Sequence, residues 1–334
     1  MNTDMLSIEK LHVGYPAGRR HVCAVDNVSL GVGVNETVGL VGESGSGKTT
    51  IARAVLGLAK AQAGTIRFED EDITHASRSR RRQLSRNLQV VFQDPYGSLS
   101  PTRTIAQTLT EPLHAHGIAS GQPARDQAAD MLKRVGLEAD ALHRYPREFS
   151  GGQRQRIAIA RALMPSPRLV ICDEAVSALD LSVQAQVLNL LRDLQREYRL
   201  GYLFIAHNLA VVRHVSHRIV VLYHGTVMET GPAEAVYGRP AHPYTRALLQ
   251  AVPVADPDQQ AARRATAFPG EPVPVARASS GCPFAPRCPY VVDACRQARP
   301  PLVAAPGGTQ VACIRAEDIS QAPLPKVKDM NANA

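Results

Sequence analysis

Apolar residues follow two different periods along the chain as far as residue 235. Segments that alternate apolar with polar residues, or are apolar throughout, predict strands, and segments with an apolar residue every three or four positions predict helices. The predicted strands are Leu6–Val13, Val25–Val32, Thr37–Val41, Thr65–Glu69, Leu88–Gln93, Arg168–Cys172, Tyr202–Ala206 and Arg218–Tyr223. The predicted helices are Lys48–Lys60, several within Thr104–Arg147, Gly151–Met164 and Val183–Tyr198. Because strands alternate with helices, we predict an α/β fold with a mainly parallel sheet.

The character of the chain changes after Gly231. Proline becomes frequent there, and four of the six cysteines lie between residues 282 and 313. We therefore expect a main domain over residues 1–235, with a helical subdomain over residues 95–165, and a small extension over residues 236–316. Residues 317–334 are expected to form a disordered tail.

The segment that joins the strand Thr37–Val41 to the next helix has the complete pattern of a phosphate-binding loop. Its glycines let backbone N–H groups turn toward a phosphate, and the helix N-terminus adds positive potential. We predict that Lys48 binds the β- and γ-phosphates of a nucleotide and that the Thr49 hydroxyl binds Mg²⁺. The residues of this expected nucleotide site are Gly42, Glu43, Ser44, Gly45, Ser46, Gly47, Lys48, Thr49 and Thr50.

Two carboxylates follow the apolar strand Arg168–Cys172. Asp173 at the strand end can reach the Mg²⁺ site, and Glu174 can activate or orient an attacking water. By itself, an Asp-Glu pair after a strand is more often a solvated turn. The phosphate loop in the same chain favours the catalytic interpretation.

A second helix start has the composition of an anion site. Ser150 is followed by Gly151, Gly152 and Gln153, immediately before the helix that ends near Met164. Exposed N–H groups at such a start bind anions. Taken alone, the segment would be read as an ordinary N-cap with a glycine turn.

Together these segments resemble the ATP-binding subunits of ABC transporters, with Phe149 where the signature motif usually has Leu and Ala175 where Pro often follows the catalytic Glu. The resemblance implies a P-loop NTPase core with an N-terminal antiparallel β subdomain and a helical subdomain. It also implies a dimer, in which the signature motif Ser150–Gln153 contacts the partner's ATP. The remaining implied roles are adenine stacking for Tyr15, the Q-loop and Mg²⁺ contact for Gln93, the D-loop for Asp180 and the switch histidine for His207. The implied catalytic residues are thus Glu174, His207, Gln93 and Asp173. The residues implied to bind Mg²⁺ are Thr49, Gln93 and Asp173.

Further segments resemble the oligopeptide/dipeptide importer branch, and most closely its second ATPase subunit. They are Gln93–Leu99, Glu111–Leu113, His242–Leu248 and the cysteine-containing extension. The resemblance implies a heterodimer with a related ATPase, two separate permease subunits and an extracytoplasmic substrate-binding protein. It implies a peripheral position on the cytoplasmic face of the inner membrane and di- or oligopeptides as cargo, with glutathione, nickel or opines as alternatives.

Four cysteines, Cys282, Cys288, Cys295 and Cys313, lie close together in the proline-rich extension. No Cys-x-x-Cys pair occurs, so a zinc ribbon is not indicated. Four thiols in a segment too short for a large core still suggest a metal site, and unligated thiols are the alternative. The resemblance implies a 4Fe–4S cluster in some members of the family.

The formal charge of +8 permits a nucleic-acid partner. A soluble ABC ATPase acting on nucleic acid or ribosomes is therefore the rival hypothesis. Such proteins have two cassettes or a long coiled coil between the motifs. This chain has one cassette, and the interval from Thr49 to Gly151 has room only for a helical subdomain, so we expect no direct nucleic-acid contact. No apolar run reaches the ~18 residues of a membrane span, and the first residues do not have the pattern of an export signal.

Overall fold

Alternating strands and helices form two sheets in this computed structural model, which describes residues 4–18, 20–252 and 280–321. The strands are β1 Asp4–Ala17, β2 Arg20–Gly33, β3 Thr37–Val41, β4 Ala63–Phe68, β5 Glu71–Asp72, β6 Leu88–Val91, β7 Leu169–Asp173, β8 Gly201–Ala206, β9 Arg218–Tyr223, β10 Thr226–Pro232, β11 Val303–Ala305 and β12 Thr309–Val311. The α-helices are α1 Lys48–Val55, α2 Arg78–Leu84, α3 Pro95–Ser98, α4 Ile105–Ala115, α5 Gly121–Arg134, α6 Gly151–Leu163, α7 Leu181–Tyr198, α8 Leu209–Val215, α9 Ala233–Gly238, α10 Pro243–Gln250, α11 Asp293–Gln297 and α12 Ala316–Gln321.

The larger sheet has the order β11-β12-β10-β9-β3-β8-β7-β6. The strands from β9 to β6 are parallel, whereas β10, β12 and β11 are antiparallel. Strands β3 and β8 are buried along their whole length, as expected for parallel strands with both faces covered. The predicted α/β fold with a mainly parallel sheet is confirmed.

The smaller sheet has the order β2-β1-β4-β5 and is antiparallel. Its apolar face packs over α1, whose Ile51 and Val55 lie in a core shared with both sheets. Helices α4 to α7 pack on the other side of the larger sheet in a second core. Helix α1 therefore lies between the two sheets, and this arrangement fixes the start of α1 beside the end of β3.

Several boundaries differ from those predicted by the apolar pattern. Helix α1 ends at Val55 rather than Lys60, and Gly57 follows in the left-handed region with φ of 74°. Strand β10 was not predicted. Residues 317–321 belong to α12 and not to a disordered tail, because Ile319 is buried and its carbonyl oxygen accepts a hydrogen bond from Arg246. Residues 253–279 of the extension and 322–334 of the predicted tail lie outside the described residues.

The extension continues the larger sheet. Strand β12 pairs with β10 through Glu229–Val311 and Thr230–Gln310. Phe284 is fully buried in the main core, with its ring centroid 5.4 Å from the ring of Tyr223 and 5.4 Å from that of Tyr244. The described part of the extension therefore shares both its hydrogen bonding and its core with the rest of the chain.

None of the helices in the described ranges has the length and apolar character needed to cross a membrane.

We expect Phe284→Ala to lower the free energy of unfolding by about 3–5 kcal/mol, because it leaves a cavity among packed rings. Denaturant unfolding of the full chain would measure this change. The matched control is Leu302→Ala, an exposed site in the same extension, for which we expect about 0.5 kcal/mol or less. If Phe284→Ala costs no more than the control, Phe284 does not anchor the extension.

Candidate functional site

The phosphate loop connects the central strand β3 to α1 and turns through left-handed glycines. Gly47 has φ of 102°, and a Cβ at this position would lie 2.4 Å from the carbonyl oxygen of Ala24. Only glycine therefore fits there, both for conformation and for space. Ser46 is buried, and its carbonyl accepts a hydrogen bond from Gly225 N–H. The loop is thus attached to the turn between β9 and β10.

Lys48 is almost fully buried inside this loop. Its Nζ donates hydrogen bonds to the carbonyl oxygens of Gly42 at 2.8 Å and Glu43 at 2.9 Å. Burial lowers the pKa of Lys48, and the nearby carboxylates of Glu174, Asp173 and Glu43 oppose this shift. The ammonium is therefore held by loop carbonyls at the place where the motif binds phosphate oxygens.

Asp173 and Thr49 meet beside the loop. The Thr49 hydroxyl donates to Asp173 Oδ1 over 3.2 Å. Burial raises the pKa of Asp173, whereas the Thr49 hydrogen bond and the nearby Arg53 and Lys48 lower it. A carboxylate and a hydroxyl at this separation fit the oxygen donors that Mg²⁺ prefers. Thr50 lies next to Thr49 in the first turn of α1.

Glu174 follows Asp173 with a left-handed backbone, φ of 50°. Its N–H donates to the carbonyl oxygen of Ile205, and its own carbonyl accepts from Ser177 Oγ. A positive φ is unfavourable for a residue with a side chain. The hydrogen bonds with Ile205 and Ser177 hold the backbone of Glu174 in this conformation.

Gln93 and His207 belong to the same edge of the sheet. Gln93 follows β6 and His207 follows β8, and both are exposed. Because β3, β8, β7 and β6 are adjacent parallel strands, their carboxyl ends place the phosphate loop, His207, Asp173–Glu174 and Gln93 along one edge in that order. Open α/β sheets bind ligands at this edge. The structure thus brings together residues that are more than 150 positions apart in the chain.

Tyr15 is on the antiparallel sheet, in β1 opposite Val22 of β2. Its side chain is 37% exposed, so the ring has a free surface. A partly exposed aromatic ring is suited to stacking on a flat ligand.

The signature segment forms a capped helix start. Ser150 Oγ accepts from Gln153 N–H at 3.3 Å, and Gln153 Oε1 accepts from Ser150 N–H at 3.0 Å. A Cβ on Gly152 would lie 2.4 Å from Val183 in α7, which begins after its N-cap Asp180. Among the described residues, no hydrogen bond connects Ser150, Gly151, Gly152 or Gln153 to the phosphate loop.

Two residues near the phosphate loop were not predicted from the sequence. Tyr244 Oη accepts a hydrogen bond from the Glu43 N–H at 2.8 Å, and Arg287 forms an ion pair with the Glu43 carboxylate at 2.9 Å. Both lie in the extension. The sequence around each of these residues gives no sign of the contact with the loop. The contact forms only in the tertiary structure, where the segments that follow β10 pack beside the loop.

The four cysteines of the extension line one small cavity of about 20 Å³, together with His242 and Phe284. Burial raises the pKa of three of the thiols, with that of Cys313 reaching about 11. In the part of the chain that the structure describes, the cysteines are free and no group of three or more His, Cys, Asp or Glu side chains has the spacing of a metal site. The expected ligand set for a 4Fe–4S cluster is Cys282, Cys288, Cys295 and Cys313. These residues converge in space, but the cavity as it stands does not have the spacing or volume of that cluster.

Comparisons with known proteins assign the family. The ABC transporter family matches residues 25–177, and the family described as "Oligopeptide/dipeptide transporter, C-terminal region" matches residues 228–295. The "Probable peptide ABC transporter ATP-binding protein y4tS" of Sinorhizobium fredii is 47% identical over 321 residues, which cover 94% of this chain and 90% of that protein. The chain belongs to the ABC transporter ATP-binding family. It is therefore an ATPase of the class that is coupled to transport.

Two further relatives and one solved structure agree with this membership. The "Oligopeptide transport ATP-binding protein OppF" of Salmonella typhimurium is 48% identical, with 84% of each chain covered. The "Glutathione import ATP-binding protein GsiA" of Salmonella paratyphi A is 51% identical over 73% of this chain and 39% of its own length. The dimeric structure of the ATP-binding cassette MJ0796, in a post-hydrolysis state with ADP and Pi, has a TM-score of 0.63 and 29% identity, covering 69% of this chain and 99% of that one.

Proposed function

We propose that this ATPase binds MgATP at the carboxyl edge of the larger sheet and powers the import of di- or oligopeptides. The observation that carries the proposal is the row of functional groups at the ends of β3, β8, β7 and β6. A phosphate loop, two carboxylates, a histidine and a glutamine converge there from four separate segments.

In this proposal each group acts on a different part of the substrate. Lys48 exchanges its loop carbonyls for the β- and γ-phosphate oxygens, and Tyr15 stacks on adenine. Thr49, Asp173 and Gln93 would hold Mg²⁺, which neutralises charge on the phosphates. Glu174 accepts a proton from the attacking water, and His207 orients the γ-phosphate.

The second half of the ATP site comes from a partner ATPase. Ser150, Gly151, Gly152 and Gln153 form a helix start that makes no hydrogen bond to the loop of its own chain within the described ranges. In the proposed dimer this helix start and the D-loop residue Asp180 face the partner's nucleotide. The dimeric MJ0796 cassette supports this arrangement. We propose a related second ATPase as the partner.

Two permease subunits and an extracytoplasmic binding protein complete the proposed importer, with this chain peripheral on the cytoplasmic face of the inner membrane. No direct nucleic-acid contact is part of the proposal. The match to the oligopeptide/dipeptide C-terminal region and the names of two relatives support a peptide cargo. Glutathione is the second candidate cargo, because the GsiA relative is 51% identical to this chain over a match that covers 73% of it. The two relatives named for peptide transport are 47% and 48% identical over longer matches.

The expected organisation remains part of the proposal: an ATP-binding domain over residues 1–235, with the helical subdomain over 95–165, and the extension from 236.

We also propose that Cys282, Cys288, Cys295 and Cys313 bind a metal, as a 4Fe–4S cluster or as zinc. The support for this proposal is that all four thiols line one cavity. Metal binding would require the thiols to lose their protons and the cavity walls to move apart.

We expect Glu174→Gln to bind ATP normally and to lose at least about 100-fold in turnover, because an amide cannot accept the proton of the water. The variant should accumulate as an ATP-bound dimer, alone or with the second ATPase, in size-exclusion chromatography. The control is Glu174→Gln combined with Ser150→Arg, which should bind ATP in the single chain but not form this dimer. Normal turnover by Glu174→Gln would contradict the assigned role, and ATP-dependent dimers in the double variant would contradict the shared site.

We expect the tagged chain, purified from detergent-solubilised membranes, to carry two permeases, a second ATPase and a binding protein. Mass spectrometry of the small molecules released from that binding protein would identify peptides or glutathione. Copurification with ribosomes or nucleic acid, and with no permease, would instead support the rival hypothesis.

We expect anaerobically purified full-length protein to contain metal, with iron and a brown colour for the cluster or colourless zinc for a tetrahedral site. Cys282→Ser should lose most of the metal, because one of the four thiolates is missing. The matched control is Cys23→Ser, since Cys23 is exposed and does not line the cavity. Anaerobic protein with neither metal, and with four freely reactive thiols, would rule out the metal site.

A further inference from the structure

Glu43, the second residue of the phosphate loop, is contacted from the extension through two different groups. The Glu43 N–H donates to Tyr244 Oη at 2.8 Å. The Glu43 carboxylate accepts hydrogen bonds from both Nη atoms of Arg287, at 2.9 and 3.1 Å. Tyr244 and Arg287 are 201 and 244 positions away in the sequence, so tertiary structure alone brings them to the loop.

The contact between Arg287 and Glu43 is shielded from water. The Arg287 side chain is 9% exposed and that of Glu43 is 28% exposed. The guanidinium lies 5.6 Å from the ring centroid of Phe284 and 5.9 Å from that of Tyr223, which hold it in place. A two-point, partly buried pair fixes geometry far better than a surface ion pair.

The third polar group of Glu43 holds the catalytic-site lysine. Its carbonyl oxygen accepts a hydrogen bond from Lys48 Nζ at 2.9 Å. The N–H, the carboxylate and the carbonyl of one residue are therefore bound to Tyr244, Arg287 and Lys48 respectively. A shift of Glu43 would move the carbonyl that Lys48 faces and the backbone that surrounds the phosphates.

We propose that Tyr244 and Arg287 are positioning residues of the ATP site, which act through Glu43 and set the affinity of the phosphate loop for ATP. The proposal rests on the proposed binding of ATP in this loop. It gives the extension a role in nucleotide binding besides any role in metal binding. Neither residue needs to touch the nucleotide for this effect.

The test measures binding of a fluorescent ATP analogue with Mg²⁺ to the full-length chain, at a temperature where thermal melting shows every variant to be folded. Arg287→Met should raise Kd about tenfold, the loss expected when a hydrogen-bonded charge loses its partner. Arg287→Lys keeps the charge but not the two-point geometry and should recover part of the affinity. Tyr244→Phe removes a single hydroxyl from a buried ring and should raise Kd about threefold.

A double-mutant cycle separates action through Glu43 from any other effect. If Arg287 acts through this carboxylate, Glu43→Gln combined with Arg287→Met should bind the analogue no more weakly than Arg287→Met alone. Additive losses in the double variant would overturn the proposed route through Glu43.

The chain offers a matched control at the opposite end of β3. Arg218 contacts Glu36 through two nitrogens, at 2.6 and 3.4 Å, just before β3 begins. This pair resembles the Arg287–Glu43 pair in chemistry but does not touch the loop. Arg218→Met should leave the Kd of the analogue unchanged, even where it lowers the melting temperature.

Three outcomes would overturn the proposal: wild-type Kd in both Arg287→Met and Tyr244→Phe, an equal loss of affinity in Arg218→Met, or additivity in the cycle. If Arg287→Met does not fold, Tyr244→Phe decides. Lys48→Ala separates this test from the proposed function. If Lys48→Ala retains wild-type binding, the loop is not the ATP site. If Lys48→Ala loses binding while Arg287→Met and Tyr244→Phe bind normally, only the roles of Tyr244 and Arg287 are contradicted.

Discussion

The end of strand β3 is the constraint on which the phosphate loop depends. This strand is buried along its length between two parallel neighbours, in register with β8 from Thr37 to Val41 and with β9 from Val38 to Val41. The chain leaves the sheet at a fixed point and must turn at once into α1. Gly47 permits that turn, because a side chain there would strike the carbonyl oxygen of Ala24.

The electrostatics of the site follow from this geometry. A buried ammonium is costly unless polar groups surround it, and Lys48 finds two loop carbonyls together with three nearby carboxylates. Lys48 therefore holds the loop in place through the carbonyl groups of Gly42 and Glu43. Such preorganised groups need little rearrangement when charge is delivered to them.

The extension is better described as part of the ATPase structure than as an appendage. Strand β12 hydrogen-bonds to β10, Phe284 fills the ring cluster of the core, and Arg287 reaches the phosphate loop. The turn of Ala285–Arg287 leads directly into Cys288, so the cavity of the four thiols and the Glu43 contact share one short segment. The extension therefore has structural support from packing and strand pairing in addition to any metal.

The sequence by itself determined the fold class and the family, and it predicted the nucleotide-site residues, because these depend on local signals. The bounds of β3 and β9 agree with the apolar pattern, and the phosphate loop needs residues that are contiguous in the chain. Strands β11 and β12 escaped prediction, since segments of three residues carry little periodicity. Strand β10 also escaped prediction, although it has seven residues and lies between β12 and β9. Only the tertiary structure decided which groups face Glu43. Tyr244 and Arg287 have no local signature, because their contacts with Glu43 arise from the chain passing across the whole sheet and back to the end of β3.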